Sequence, residues 1–129
     1  MSKFKGTHWE IALPPDWVGQ HDGDCAILFN PQGVGALQVR AHTKHREVTE
    51  KDLRDLASQH MPAGARMDPA DAGDFSGFTL TYAAQEVFWQ HWYVSSGNQA
   101  LMITYTCGKQ DKEREIAQVR EMLASLSST

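Results

Sequence analysis

The pattern of hydrophobic and polar positions predicts a chain built mainly of β-strands. Residues 36–42 alternate cleanly, with Leu37 and Val39 on one face, as expected of a strand that buries one side. Asp22 and Gly23 form a tight hairpin turn before Cys25–Phe29, because glycine readily adopts a positive φ. The other predicted strands cover residues 8–13, 75–85, 86–95 and 99–107, the last two joined by a turn at residues 95–98.

Two helices are predicted, one in the middle of the chain and one near its end. Thr49 begins the first, since its hydroxyl can cap the amide of Asp52, and Pro62 and Gly64 end it. Asp111 is expected to cap the second. Hydrophobic stripes at helical spacing are Leu53, Leu56, Ala57, His60 and Met61 in the first helix, and Ile116, Val119, Met122, Leu123 and Leu126 in the second. Residues 63–74 are predicted to be a connecting loop, extended near Met67, and the last three residues are expected to fray.

The late strands carry large hydrophobic side chains on both faces. One face has Phe88, Trp92 and Val94, and the other has Val87, Trp89, His91 and Tyr93. An antiparallel sheet with an open face normally alternates hydrophobic and polar positions, so each face is expected to be covered. Two helices on opposite faces would satisfy this pattern, and so would one helix and a protein partner or a second copy.

Several stretches together resemble the PsbP-like superfamily. They are WEIALPPDW, NPQGVGALQVRA, VTEKDL and FWQHWYVSSGNQALMITYTC, which span most of the chain. The superfamily includes a photosystem II subunit, a Ran-binding nuclear-transport factor, type VI secretion adaptor chaperones and small stand-alone bacterial proteins, and this chain is most similar to the last group. The resemblance implies an α+β fold with an antiparallel sheet of about six strands packed between helices. It implies no activity, because unrelated roles share this scaffold.

Composition and charge narrow the function classes. The chain has 129 residues, 41% of them hydrophobic, which is typical of a single globular domain over residues 1–129. Sixteen acidic and 12 basic residues give a net charge of −4, which argues against nucleic acid as the main partner. Cys25 and Cys107 are too few for a disulfide scaffold and are expected to be reduced. With no stretch long enough for a signal peptide or a membrane span, we expect a cytoplasmic protein without a membrane anchor.

Catalytic and metal chemistry find little support in the sequence. His42 and His45 are three residues apart, but His45 lies between Lys44 and Arg46, whose charges oppose metal binding. The NPQGVG turn lacks the lysine and hydroxyl of a phosphate-binding loop and leads into a strand. Neither cysteine has an evident histidine partner. We therefore expect no cofactor, no metal and no enzymatic activity.

The best binding candidate is the aromatic face of the middle late strand. Trp89, His91 and Tyr93 are either core beneath a helix or exposed at a groove or self-association face, since such residues also dominate binding hot spots. Depending on the strand register, a polar rim could come from Gln38, Arg40, His42, Thr79 and Thr81. The sequence thus favours a protein-binding or adaptor module. The alternative is a small-molecule-binding domain or minor enzyme with a pocket around His91.

Overall fold

Two antiparallel sheets and two α-helices make up the computed structural model, which describes residues 2–59, 61–62 and 64–129. The small sheet contains β1 (Ser2–Lys5), β2 (Trp9–Leu13) and β10 (Ser127–Ser128), in the order β1-β2-β10. The large sheet contains β3 (Val18–Asp22), β4 (Cys25–Phe29), β5 (Gly35–Thr43), β6 (Arg66–Ala72), β7 (Phe75–Ala84), β8 (Val87–Ser96) and β9 (Gln99–Gly108). Its order is β3-β4-β5-β9-β8-β7-β6. The α+β class is confirmed, but the main sheet has seven strands rather than about six and is accompanied by a second sheet.

The first helix, α1 (Glu50–Ser58), begins as the sequence predicts. The amide of Asp52 donates to the Thr49 hydroxyl, and the amide of Thr49 donates to the Asp52 carboxylate, which completes a capping box. Two guanidinium nitrogens of Arg46 donate to the same carboxylate, at 2.7 and 2.9 Å. These contacts fix the start of α1. The predicted stripe extends too far, because Met61 is exposed and lies beyond the end of α1. The stripe also included His60, which lies outside the described residues.

The second helix, α2 (Ile116–Ala124), does not begin at Asp111, which instead ends a 3₁₀ turn over Lys109–Asp111. Glu115 occupies the position before α2 and makes no side-chain cap. Its buried carboxylate instead accepts from the Tyr105 hydroxyl at 2.8 Å and from the amide of Val34 at 3.3 Å. The expected frayed end is also wrong, because Ser127 and Ser128 pair with β2.

The predicted loop over residues 63–74 is mostly a strand. β6 pairs along its whole length with β7, from Arg66 opposite Thr81 to Ala72 opposite Phe75, and it forms one edge of the large sheet. The sequence predicts a loop here because this stretch is rich in alanine, glycine, proline and aspartate. An edge strand tolerates proline, because one row of its backbone groups has no neighbouring strand to pair with.

The large sheet buries hydrophobic side chains on both faces, as predicted. We call the side that carries Phe88, Trp92 and Val94 the first face; it packs against β2 and α2 in the larger core. The side that carries Trp89, His91 and Tyr93 is the second face, and α1 packs against part of it. Two helices on opposite faces therefore contribute to covering the sheet.

Cys25 and Cys107 are both buried and free, and the register places them on opposite faces of the sheet. Within the described residues, neither helix has the length and hydrophobic character needed to cross a bilayer.

Candidate functional site

The second face is covered over only part of its area. The core beneath α1 is formed by Val48, Leu53, Ala57, Phe78, Leu80, Tyr93 and Ala100. One cross-strand row further on, Trp89 pairs with Tyr82 and Thr106, and both ring-bearing residues are only half-buried. None of these three residues belongs to the core cluster beneath α1. The uncovered half of the second face is therefore centred on Trp89 and His91.

A continuous series of stacked rings crosses the boundary between the covered and uncovered halves. Centroids of neighbouring rings are 5.6–6.1 Å apart, and the planes of Trp89 and His91 are within 6° of parallel. The series comprises Tyr82, Trp89, His91, Tyr93 and Phe78. Stacking of this kind holds each ring in one orientation and lowers the entropy that a binding partner would have to remove.

Each ring nitrogen of His91 lies within hydrogen-bonding distance of a hydroxyl group. Its Nε2 lies 2.9 Å from the Tyr82 hydroxyl, and its Nδ1 lies 3.2 Å from Thr104 Oγ1. A hydroxyl can donate or accept, so the pair satisfies a neutral imidazole in either tautomer. Burial raises the pKa of Tyr82, and burial followed by the nearby Tyr82 raises that of Tyr93, so both phenols stay neutral at physiological pH.

A small groove opens over these rings. Its volume is about 240 Å³, and it is lined by Gln38, Arg40, Trp89, His91, Tyr93, Met102 and Thr104. Arg40 is exposed at the groove, and none of the acidic side chains in the described chain comes within ion-pair distance of it. The groove thus combines an aromatic wall with one unpaired guanidinium.

A wider depression adjoins this groove at the end of the sheet. It encloses about 600 Å³ and is wide open to solvent. The side chains and turn that line it include Phe29, Pro31, Val34, Ala36 and Val87. Ala36 and Thr106 belong to the same cross-strand row as Trp89, so the groove and the depression form one surface.

The structure brings together four of the five predicted site residues. Arg40, Trp89, His91 and Tyr93 all line the groove, whereas His42 lies two residues further along β5 and does not line it. Tyr93 belongs to the core, at 4% exposed, but Trp89 and His91 do not. Of the two alternatives for the aromatic face, a core position applies to Tyr93, and a position at a groove applies to Trp89 and His91.

The predicted polar rim depends on the strand register, and the observed register excludes its two threonines. Thr79 pairs with Trp92, and Thr81 pairs with Gln90, so both lie on the first face. Gln38 is correctly placed. The sequence reasoning missed Tyr82, Met102 and Thr104; the alternation of β7 and β9 indicates their faces, but only the register joins them to His91.

Among residues 2–59, 61–62 and 64–129, no three histidine, cysteine, aspartate or glutamate side chains come together as a metal site would require. The groove itself offers one histidine as a metal ligand, and both ring nitrogens of that histidine face hydroxyl groups.

Comparison with solved structures identifies the architecture. Cyanobacterial PsbP from Synechocystis sp. PCC 6803 superposes with a TM-score of 0.71 at 12% identity, covering 99% of this chain and 92% of that protein. The chain has a PsbP-like fold. A protein of Bacteroides thetaiotaomicron VPI-5482 also matches, with a TM-score of 0.66 and 19% identity over 95% of this chain. The chain spans 45% of that protein. No family model and no curated protein matches the sequence.

Proposed function

We propose that this PsbP-like protein is a non-enzymatic binding module, of adaptor type, that takes a protein partner on the uncovered half of the second face. One observation carries the proposal. Helix α1 covers Tyr93 but leaves Trp89 and His91 at the surface, beside an unpaired Arg40. Tryptophan and arginine are the residue types most enriched where protein interfaces gain their energy.

The sizes of the two concavities favour a protein over a small molecule on this face. Small-molecule sites typically enclose about 300–1,000 Å³ and bury most of the ligand. The groove beside His91 holds about 240 Å³, too little for most such ligands. The adjoining depression is larger, but it is wide open and would leave a small ligand largely in water. A protein segment can fill the groove with one side chain and lie across the depression with the rest.

The chemistry of the groove specifies what that segment should carry. Trp89 presents a large rigid surface to a hydrophobic side chain. Arg40 can bind a carboxylate through two parallel hydrogen bonds. We therefore expect the partner to place a hydrophobic residue against Trp89 and an Asp, Glu or C-terminal carboxylate against Arg40.

The same geometry favours binding over catalysis. A general base needs hydrogen-bonding reach to its proton donor, and a nucleophile needs such a base beside it. His91 and the Thr104 hydroxyl do come within this distance, but the group on the other ring nitrogen is the Tyr82 hydroxyl, and no carboxylate that could strengthen the imidazole as a base is among the described side chains that line the groove. The proposal places the protein in the cytoplasm, where two buried thiols stay reduced.

The test is affinity capture from native lysate, followed by binding measurements with the purified captured protein. We expect Trp89→Ala and Arg40→Gln each to weaken its binding at least tenfold, because each removes one of the two anchors. Arg54→Gln is the matched control, since Arg54 is an exposed arginine on α1 away from the groove. A partner whose binding is the same for all three variants would overturn the proposal. So would a monomer in solution that retains only a metabolite bound beside His91.

A further inference from the structure

A separate cavity lies on the first face, between α2 and the edge strand β6. It encloses about 540 Å³, within the range typical of small-molecule sites. Asp71 borders it, but Asp71 lies opposite Ser76, so its side chain points to the second face. The sheet side chains that the register does place on this face are Phe88, Gln90 and Trp92 from β8, Thr79 and Thr81 from β7, and Arg66, Asp68 and Ala70 from β6.

The sheet wall of the cavity changes from hydrophobic to polar toward the edge of the sheet. Its inner strand, β8, presents the buried rings of Phe88 and Trp92. The next strand presents two threonine hydroxyls, and β6 presents an ion pair between Arg66 and Asp68 at 2.9 Å. The carboxylate of Asp68 is therefore already neutralised.

The helix wall changes in the same direction. Helix α2 begins beside β9, where Glu115 accepts from the Tyr105 hydroxyl, and just beyond its end the Leu126 carbonyl accepts from an amide in the turn between β6 and β7. Ile116, near β9, packs against the larger core, and Arg120 lies one helical turn further toward β6. Both side chains line the cavity. The cavity is thus hydrophobic at its inner end and carries a guanidinium further out.

The charges of the cavity favour a ligand with one negative charge. Lys112 and Arg120 line it and have no ion-pair partner among the described residues, and Glu113 is the one carboxylate there that is likewise unpaired. Two cations against one anion leave an excess of one positive charge. The planar guanidinium of Arg120 can bind a carboxylate through two parallel hydrogen bonds. The charge of Glu113 opposes a doubly charged phosphate more strongly than it opposes a carboxylate.

The floor of the cavity keeps free hydrogen-bonding capacity. Gln90 Nε2 donates to Thr79 Oγ1 at 3.0 Å, and that hydroxyl donates to the His91 carbonyl at 2.8 Å. These two bonds fix the orientation of the Gln90 amide. Its side-chain oxygen has no hydrogen-bond partner in the described part of the chain. A ligand that displaced water from this oxygen without donating to it would leave a polar group unsatisfied, so the ligand should carry a hydroxyl or similar donor.

We propose that this cavity binds a small 2-hydroxycarboxylate with a hydrophobic side chain. The carboxylate lies against Arg120, and the hydroxyl donates to the side-chain oxygen of Gln90. The hydrophobic side chain lies between Ile116 and the rings of Phe88 and Trp92. This site is on the opposite side of the sheet from the protein-binding groove and does not depend on it.

The test uses L-3-phenyllactate as the probe and the full chain as the protein. We expect saturable shifts of the Thr79, Thr81 and Gln90 resonances in the NMR spectrum. 3-Phenyllactamide should bind with a Kd at least tenfold higher, because it lacks the negative charge, and 3-phenylpropanoate with a Kd about fivefold higher, because it lacks the hydroxyl. This comparison needs no variant, so it remains valid even if a substitution disturbs folding.

Two variants then assign each contact to its residue. Arg120→Gln should raise Kd for L-3-phenyllactate about tenfold and leave Kd for the amide unchanged. Gln90→Met keeps a side chain of similar length and should abolish the preference for L-3-phenyllactate over 3-phenylpropanoate. Arg54→Gln, on the other face, should leave every Kd unchanged.

Four outcomes would overturn the proposal. They are the absence of saturable shifts in the cavity, equal binding of L-3-phenyllactate and its amide, equal weakening of both by Arg120→Gln, and tighter binding of benzyl phosphate than of L-3-phenyllactate.

Discussion

The hydroxyl of Tyr82 lies 2.9 Å from Nε2 of His91, and the rings of the two residues stack with their planes 19° apart. Tyr82 lies on β7, and it pairs not with His91 but with Trp89, two residues away on β8. The contact is therefore a diagonal one, which long aromatic side chains can make across neighbouring strands. It ties the imidazole of β8 to the neighbouring strand β7 at the wall of the groove.

Removing this hydroxyl should loosen the imidazole without disturbing the stack. We expect Tyr82→Phe to lower the free energy of unfolding by about 0.5–1.5 kcal/mol, the usual worth of one hydrogen bond. The ¹⁵N chemical shifts of the His91 ring should also change, because Nε2 loses its hydrogen bond to the Tyr82 hydroxyl. Tyr93→Phe is the control, since no hydrogen bond of the Tyr93 hydroxyl is among those found, and its His91 shifts should stay unchanged. Identical His91 spectra for wild type and Tyr82→Phe would contradict the prediction.

Two tryptophans three residues apart on β8 should differ sharply in their contribution to stability. Trp92 is 5% exposed and packs in the larger core, whereas Trp89 is half-buried on the uncovered face. Replacing a buried aromatic residue by alanine typically costs about 3–5 kcal/mol, so Trp92→Ala should destabilise the fold by that amount. Trp89→Ala should cost less than about 2 kcal/mol. Urea unfolding of both variants checks this, and comparable losses would show that Trp89 is a core residue.

The sequence predicts the coverage of the sheet well because alternation shows directly which side chains share a face of one strand. It assigned Phe88, Trp92 and Val94 to one side of β8 and Trp89, His91 and Tyr93 to the other, as observed. The helix start at Thr49 is also correct, since a capping box is a local arrangement that four neighbouring residues specify.

The register between β7 and β8 could not be read from the sequence, and the misplaced threonines follow from that. The two strands are joined by Gln85 and Glu86, which both adopt positive φ, at 53° and 67°. Two-residue turns of this kind normally contain asparagine, aspartate or glycine, so these side chains give no turn signal. The sequence predicts the division between the two strands at this position but leaves the register open, so Thr79 and Thr81 could not be assigned to a face relative to Trp89. A cavity of about 540 Å³ between β6 and α2, on the first face, was missed for a related reason, because β6 was interpreted as a loop.

The Arg46–Asp52 pair should make stability depend on pH at the acidic end. Hydrogen bonds from Arg46 and from the amide of Thr49 hold the pKa of Asp52 well below its ordinary value of 3.8. A depressed pKa in the folded state means that the contribution is complete above the unfolded pKa and is lost as the pH falls below it. We expect Asp52→Asn to lower stability near neutral pH and to flatten the urea midpoint between about pH 5 and pH 2. Asp55→Asn, an exposed carboxylate on the same helix, should change neither. An unchanged pH profile for Asp52→Asn would contradict this.

Gly73, in the turn between β6 and β7, should be the glycine least tolerant of alanine. Its φ is +60°, and a Cβ at this position would collide with the backbone carbonyl of Leu126, which also accepts a hydrogen bond from the amide of Asp74 at 2.9 Å. Gly97 has nearly the same φ, +61°, but no atom within 4 Å of its Cβ position. Gly97→Ala should therefore cost only the penalty of the left-handed conformation, about 1–2 kcal/mol. Gly73→Ala should cost this plus about 1–3 kcal/mol for the collision, and it should speed hydrogen exchange of the Ser128 amide, which donates to Asp74. Equal unfolding free energies for the two variants would show that the C-terminal segment moves aside without cost.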